Sequence, residues 1–216
     1  MKIVMNGKLK TSGLVFVVAT LLACNPLDYK KQTIGEVDFN QYQELLMSAQ
    51  SQSQIKKVDS FIFNVIKDSS IARYLPQVWA EDRDGIKVNL AMLIDKPCLL
   101  VITSPYAKWN TINMVREIPK ALEGLNGDYR VICLLLKEDP PAGADIPENF
   151  YDVQIEQLSA LYPNSYTIRP YEAEKINLYA LPSRYYFEKD GRLTHLSHTS
   201  ITFDDLLAEI QTYLAS

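Results

Sequence analysis

The side chains that could carry covalent or metal chemistry in this sequence are few: Cys24, Cys98 and Cys133, with His195 and His198 as the two histidines. The histidines stand three apart, and successive residues of a strand point to opposite faces, so that spacing separates the two imidazoles. No Asp/Glu/His cluster offers a third and fourth ligand, and no metal is expected. A serine hydrolase of the nucleophile-elbow kind would need a Gly-x-Ser-x-Gly turn, and none occurs among only eight glycines. Cys98 and Cys133 each lie in an apolar run. Unpaired cysteine is among the most buried residue types, which predicts two core thiols; the alternative is a disulfide in an oxidising compartment.

The elements that must position these groups follow from hydrophobic periodicity. Phe39, Tyr42, Leu45 and Leu46 recur at helical spacing after a potential cap at Asp38, and Val58, Phe61, Ile62, Val65 and Ile66 give a second amphipathic helix. Asp84-Gly85 between Val78–Ala80 and Ile86–Leu90 is a hairpin signal. Cys98–Thr103 and Val131–Leu136 are continuous apolar runs, as central parallel strands require. Between them, Ile112, Val115, Ile118, Ala121, Leu122 and Leu125 predict a helix that ends at Asn126-Gly127. Residues 137–149, rich in proline, form a loop, and 150–161 a further helix. Residues 184–188 and 193–197 form a hairpin about Asp190-Gly191, and 203–214 a closing helix. After the two leading helices the expected order is β-β-β-α-β-α-β-β-α, an α/β fold.

Composition narrows the partners. With 47% hydrophobic and 22% charged residues in a chain of 216, one main domain with a good core is expected. The net charge of -4 and the lack of a basic stripe argue against nucleic acid.

The first residues resemble a bacterial lipoprotein signal. Lys2, Lys8 and Lys10 precede a short apolar core, Leu14–Leu22, which then meets Ala23-Cys24. Such a core is shorter than the roughly 20 residues needed to span a bilayer, and no other stretch is apolar enough to do so. The resemblance implies a signal peptide over 1–23, lipid on Cys24 and a tether over 24–37. A helical extension over 38–78 and a main domain over 79–216 follow. Asn25 favours the outer membrane over the inner, with the body facing the periplasm.

Over about residues 80–216 the chain resembles the thioredoxin-like fold, and most nearly the TlpA/ResA-type (AhpC/TSA-like) extracytoplasmic thiol-disulfide oxidoreductases. The matching pieces are Asp84-Gly85 with Val88-Asn89-Leu90, Lys96-Pro97, Glu117-Ile118-Pro119, Leu181-Pro182-Ser183 and Lys189-Asp190-Gly191-Arg192. The resemblance implies a central mixed sheet flanked by helices and an active-site loop over Ser104, Pro105, Tyr106, Ala107, Lys108, Trp109, Asn110 and Thr111. It also implies a cis-proline at Pro182. The family places a Cys-x-x-Cys at the start of the helix that carries Glu-x-Pro. Aligned on Glu117 and Pro119, those two positions are Thr111 and Met114; aligned on the strand, the window is Ala107–Asn110. Neither contains a cysteine, and none follows Thr103 or Pro105 as a peroxiredoxin would require. Thiol-disulfide exchange needs a thiolate, so the loop is expected to be redox-inactive and to bind no cofactor.

What the resemblance leaves is a docking surface. An envelope protein or extended peptide is the expected partner, engaged by strand addition beside Pro182, with Tyr106, Trp109, Arg184 and Tyr185 nearby. Tyr106 and Trp109 could instead cap the core. Two alternatives stay open: an oxidoreductase, or accessory subunit of a thiol-disulfide relay, that uses Cys98 or Cys133; and a structural lipoprotein that makes its contacts through residues 38–69.

Overall fold

The computed structural model describes residues 32–35, 37, 39–107, 109–140, 146–147, 149–198 and 201–214. Cys24, the signal segment, the cap expected at Asp38 and Lys108 lie outside the described residues. In chain order the elements are α1 (Asn40–Ser48), α2 (Gln52–Ser70), β1 (Trp79–Glu81), β2 (Lys87–Asn89), a 3-10 turn (Leu90–Leu93), β3 (Cys98–Thr103), α3 (Trp109–Leu122) and β4 (Arg130–Leu136). Then follow α4 (Phe150–Leu161), β5 (Ser165–Ile168), α5 (Pro170–Glu174), β6 (Ser183–Phe187), β7 (Leu193–His198) and α6 (Phe203–Leu214).

The strands form one sheet in the order β2-β1-β5-β4-β3-β6-β7. β3 is parallel to β4, which is parallel to β5, while β6 and β7 add antiparallel on the other side of β3. Every residue of β3 is buried, as its unbroken apolar run requires. Its alternate side chains feed two cores. Leu100 and Ile102 join Ile132, Leu134, Tyr185 and the α2 residues Ile62 and Ile66 on one face. Leu99 and Val101 join Cys133, Val115 and Ile118 of α3, and Leu206 and Ile210 of α6 on the other.

Two expectations need correction. The element order lacked β5 and α5: Ser165-Tyr166-Thr167-Ile168 is only four residues long, yet Tyr, Thr and Ile are strand formers and pair with β4 along their whole length. The expected tether does not extend to residue 37, because Ile34 is buried in the core and its N–H donates to the Tyr74 carbonyl at 2.8 Å. Buried Asn177 holds the same segment, accepting from the Val37 N–H at 2.9 Å and donating to the Gly35 carbonyl at 2.7 Å. The leading helices pack on the main domain. Thr33–Ser216 form one compact unit, with Ile62 and Ile66 built into its core.

Both hairpin signals form turns with glycine at positive φ, Gly85 at 78° and Gly191 at 84°. At the first, the Asp82 carboxylate accepts from the N–H groups of Asp84 and Ile86 at 2.9 and 2.8 Å. No helix among the described residues is long and apolar enough to cross a membrane.

Pro119 stands inside α3. Proline has no N–H, so the carbonyl four residues earlier, on Val115, loses its helical donor. The Tyr162 hydroxyl, just beyond α4, donates to that carbonyl instead. Tyr162 is 2% exposed, and burial holds its phenol well above the ordinary range. Tyr162→Phe leaves the buried carbonyl unsatisfied, and we expect a loss of about 1–3 kcal/mol in a denaturant titration with fold and thiol burial retained.

Candidate functional site

The loop after β3 is ordered by a single serine. Ser104 is buried, its hydroxyl donates to the Glu138 carboxylate and accepts from the Tyr106 N–H at 3.0 Å, and its carbonyl accepts from the Ala107 N–H at 3.2 Å. Pro105 is buried, while Tyr106 and Ala107 are half-buried. Tyr106 stacks on Phe150 of α4, with ring centroids 5.6 Å apart and planes 14° from parallel. Trp109, Asn110 and Thr111 begin α3, and their side chains lie outside those described.

The antiparallel pairing of β3 with β6 sets Ile102 opposite Ser183, so its register carries the chain after Thr103 past Pro182. The Leu181-Pro182 peptide bond is cis, Pro182 is buried and Leu181 is half-buried. The Ser183 hydroxyl donates to the Ala180 carbonyl at 2.5 Å.

Arg184 and Tyr185 do not line this surface. Both are fully buried, because β6 is covered on both faces. Tyr185 points into the α2 side of the core and donates to the Ile176 carbonyl at 3.2 Å. Arg184 points the other way, beneath α3 and α6. Its Nε and Nη2 donate to the two carboxylate oxygens of Glu209 at 2.8 and 3.2 Å, and Nη1 reaches the Met114 sulfur at 2.9 Å. Glu209 also accepts from Tyr186 at 2.8 Å and Ser197 at 2.6 Å. Met114, one of the two positions aligned with the missing cysteines, is thus a buried side chain packed against a guanidinium.

Neither cysteine supplies the missing thiol. Cys98 and Cys133 are buried and unpaired. Cys98 belongs to the α2-side core and Cys133 to the α3-side core, so the sheet itself lies between their side chains and a disulfide is out of reach. Burial pushes each thiol up to about 12, which leaves essentially no thiolate at neutral pH.

His195 and His198 also face opposite sides. His195 stacks on Tyr213 at 3.9 Å, and His198 packs on Phe63 at 3.8 Å. Among the described residues no group of three or more His, Cys, Asp or Glu gathers around a point that could hold a metal.

Sequence reasoning missed Glu138, Glu209 and Ser197. Glu209 carried a signal, standing between Leu206 and Ile210 near the apolar face of α6. A basic residue in an apolar strand and an acid beside an apolar helix face answer one another.

No protein-family model matches the sequence, nor does any curated protein. Solved structures do match in fold. The thioredoxin domain of a thiol-disulfide oxidoreductase from Bacteroides vulgatus is 13% identical, with a TM-score of 0.51 over 67% of this chain and 98% of that one. A thiol:disulfide interchange protein from Bacteroides sp. is 13% identical, with a TM-score of 0.50 over 68% and 91%. The fold is thioredoxin-like, a mixed sheet flanked by helices.

Burial raises the Glu209 carboxyl, but its hydrogen bonds and charge pairing with Arg184, helped by Ser197 and Tyr186, outweigh this and hold it below the ordinary value. A depressed carboxylate stabilises the fold above its unfolded value of about 4.3, and that stabilisation is lost as pH falls through the lower folded value. Glu209→Gln strands a buried guanidinium, so we expect a loss of about 3–5 kcal/mol at pH 7 in chemical denaturation. The gap between variant and parent should narrow as the medium is acidified below pH 4.

Proposed function

We propose that this chain is a lipid-anchored, redox-inactive thioredoxin-like protein of the bacterial cell envelope that binds a partner protein or extended peptide instead of exchanging disulfides. The observation that carries this reading is the state of the sulfur atoms. The start of α3 holds no thiol, Met114 is sealed against Arg184, and Cys98 and Cys133 are buried with raised thiols. A thioether neither ionises nor forms a disulfide, and a thiol near 12 does not attack one at neutral pH. Lipid on Cys24 supplies the membrane attachment, with the body facing the periplasm and the outer membrane favoured.

Docking is assigned to the loop from Ser104 to Thr111 together with Leu181 and Pro182. Ser104, Glu138 and the stack of Tyr106 on Phe150 hold residues 104–107 in shape. A preshaped loop loses little conformational freedom on binding, which favours recognition. The competing reading, an oxidoreductase or an accessory subunit of a thiol-disulfide relay, takes its support from the named activity of the two structural neighbours.

Thiol chemistry separates the two. The chain should show no insulin reduction with dithiothreitol, and Cys98 and Cys133 should label with a disulfide reagent only after denaturation. Turnover, or rapid labelling of the native chain, would support the oxidoreductase. Cys24→Ser should move the protein from the membrane pellet to the soluble fraction. Tyr106→Ala with Trp109→Ala should weaken capture of a co-purifying partner at least tenfold without lowering Tm by more than a few degrees; unchanged capture overturns the loop as the docking surface.

A further inference from the structure

The sheet is least complete where β1 meets β5. β5 pairs with β4 along its whole length, Cys133 with Ser165 through Leu136 with Ile168. On its other edge only Thr167 has a strand partner, Glu81. Beyond Glu81 the chain leaves the sheet for the hairpin turn at Asp84-Gly85, so Ser165 and Tyr166 have no strand partner on that side. Facing the turn is α4, which returns over β4 and β5 without a single fully buried residue. Between them opens a cleft of about 480 Å³, floored by Cys133 and Leu135 and walled by Ile155 and Leu158 of α4.

We propose that this cleft receives an extended, basic segment of a partner polypeptide, which pairs its backbone with the free edge of β5 at Ser165. A strand edge presents unpaired N–H and C=O groups and is a template for an added strand. The volume falls within the roughly 300–1,000 Å³ of ligand sites. Side chains of a strand alternate, so every second residue of the segment would rest on the apolar floor while the others meet the rim.

The rim sets the charge of the segment. Four carboxylates line the cleft against Arg83 and Lys137. Lys137 already faces Glu81 at 3.6 Å, and the Asp82 carboxylate is taken by the turn's own N–H groups. That leaves Arg83 and two carboxylates, Asp152 and Glu156, exposed one turn apart on α4 with no ion pair among the described residues, so negative charge is in excess. Like charges at this spacing repel, and a lysine or arginine between them relieves the repulsion. The cleft lies on β4 and β5 and the loop follows β3, but both touch α4, whose Phe150 stacks on Tyr106 while Ile155 and Leu158 wall the cleft, so the residues protected on binding are what distinguish the two surfaces.

The test uses the full chain carrying Cys24→Ser and a fluorescein-labelled Lys-Val-Lys-Val-Lys peptide with a C-terminal amide. Anisotropy should report saturable binding, at least tenfold weaker for the Glu-Val-Glu-Val-Glu peptide and for Asp152→Lys with Glu156→Lys, two exposed positions that leave the core untouched. Hydrogen-exchange mass spectrometry should show protection over 165–167 in the complex. Absent binding at millimolar peptide, equal binding by the doubly substituted chain, or protection confined to 104–107 overturns the cleft proposal. The last outcome would leave the loop reading intact.

Discussion

A guanidinium with no solvent exposure on the penultimate strand of a sheet is a demand the rest of the fold must meet. Arg184 sits on β6 beside β3, and water can offer it nothing. Glu209 of α6 must therefore approach in fork-to-fork geometry, which fixes how α6 lies on the sheet. Tyr186 and Ser197 converge on the same carboxylate from β6 and β7. Met114 brings α3 against the same group. Apolar packing alone would allow these helices to slide by a fraction of a turn; a buried ion pair does not. Such a pair is weak evidence for added stability, since desolvation offsets much of its attraction, and better evidence for specifying one arrangement.

That arrangement bears on the proposed loss of redox chemistry. In a redox thioredoxin fold the start of the helix after the first strand presents a thiol whose ionisation the helix end assists. Here Met114, which stands at the second thiol when the chain is aligned on Glu117 and Pro119, turns inward against a cation. The cation would favour a thiolate if one were there. With methionine in place, its charge is instead consumed by Glu209, and the network serves packing. The loop in front of it is held by a different acid, Glu138, through Ser104. Loop shape and helix seating thus rest on separate polar contacts, so one can vary without collapse of the other.

Much of this fold was legible in sequence because its signals were local. The buried run of β3 and β4, the Asp-Gly turns and the amphipathic faces of α2, α3 and α6 each declared themselves within a dozen residues. β5 did not: four residues with two polar members carry too little periodicity, and its strand character comes from the edge that β4 offers. The site was less legible. Proximity to Pro182 in sequence suggested that Arg184 and Tyr185 belonged to a surface, yet strand alternation buries both once α6 and α2 cover the two faces. Glu209 lies 25 residues from Arg184, a separation that no local pattern spans.

Tyr162 illustrates the same division on a smaller scale. Proline inside α3 is a local defect, visible in the sequence, whereas its remedy is a hydroxyl 47 residues from the Val115 carbonyl it satisfies. The remedy has a topological consequence. Tyr162 closes α4 and precedes β5, so satisfying the Val115 carbonyl pins the C-terminal end of α4 to α3 while the rest of α4 buries no residue fully. A helix anchored at one end and lightly packed elsewhere leaves space beneath it. The cleft beside β5 is thus a product of two requirements met elsewhere: the proline's orphaned carbonyl, which fixes one end of α4, and the early departure of β1, which leaves the facing strand edge uncovered.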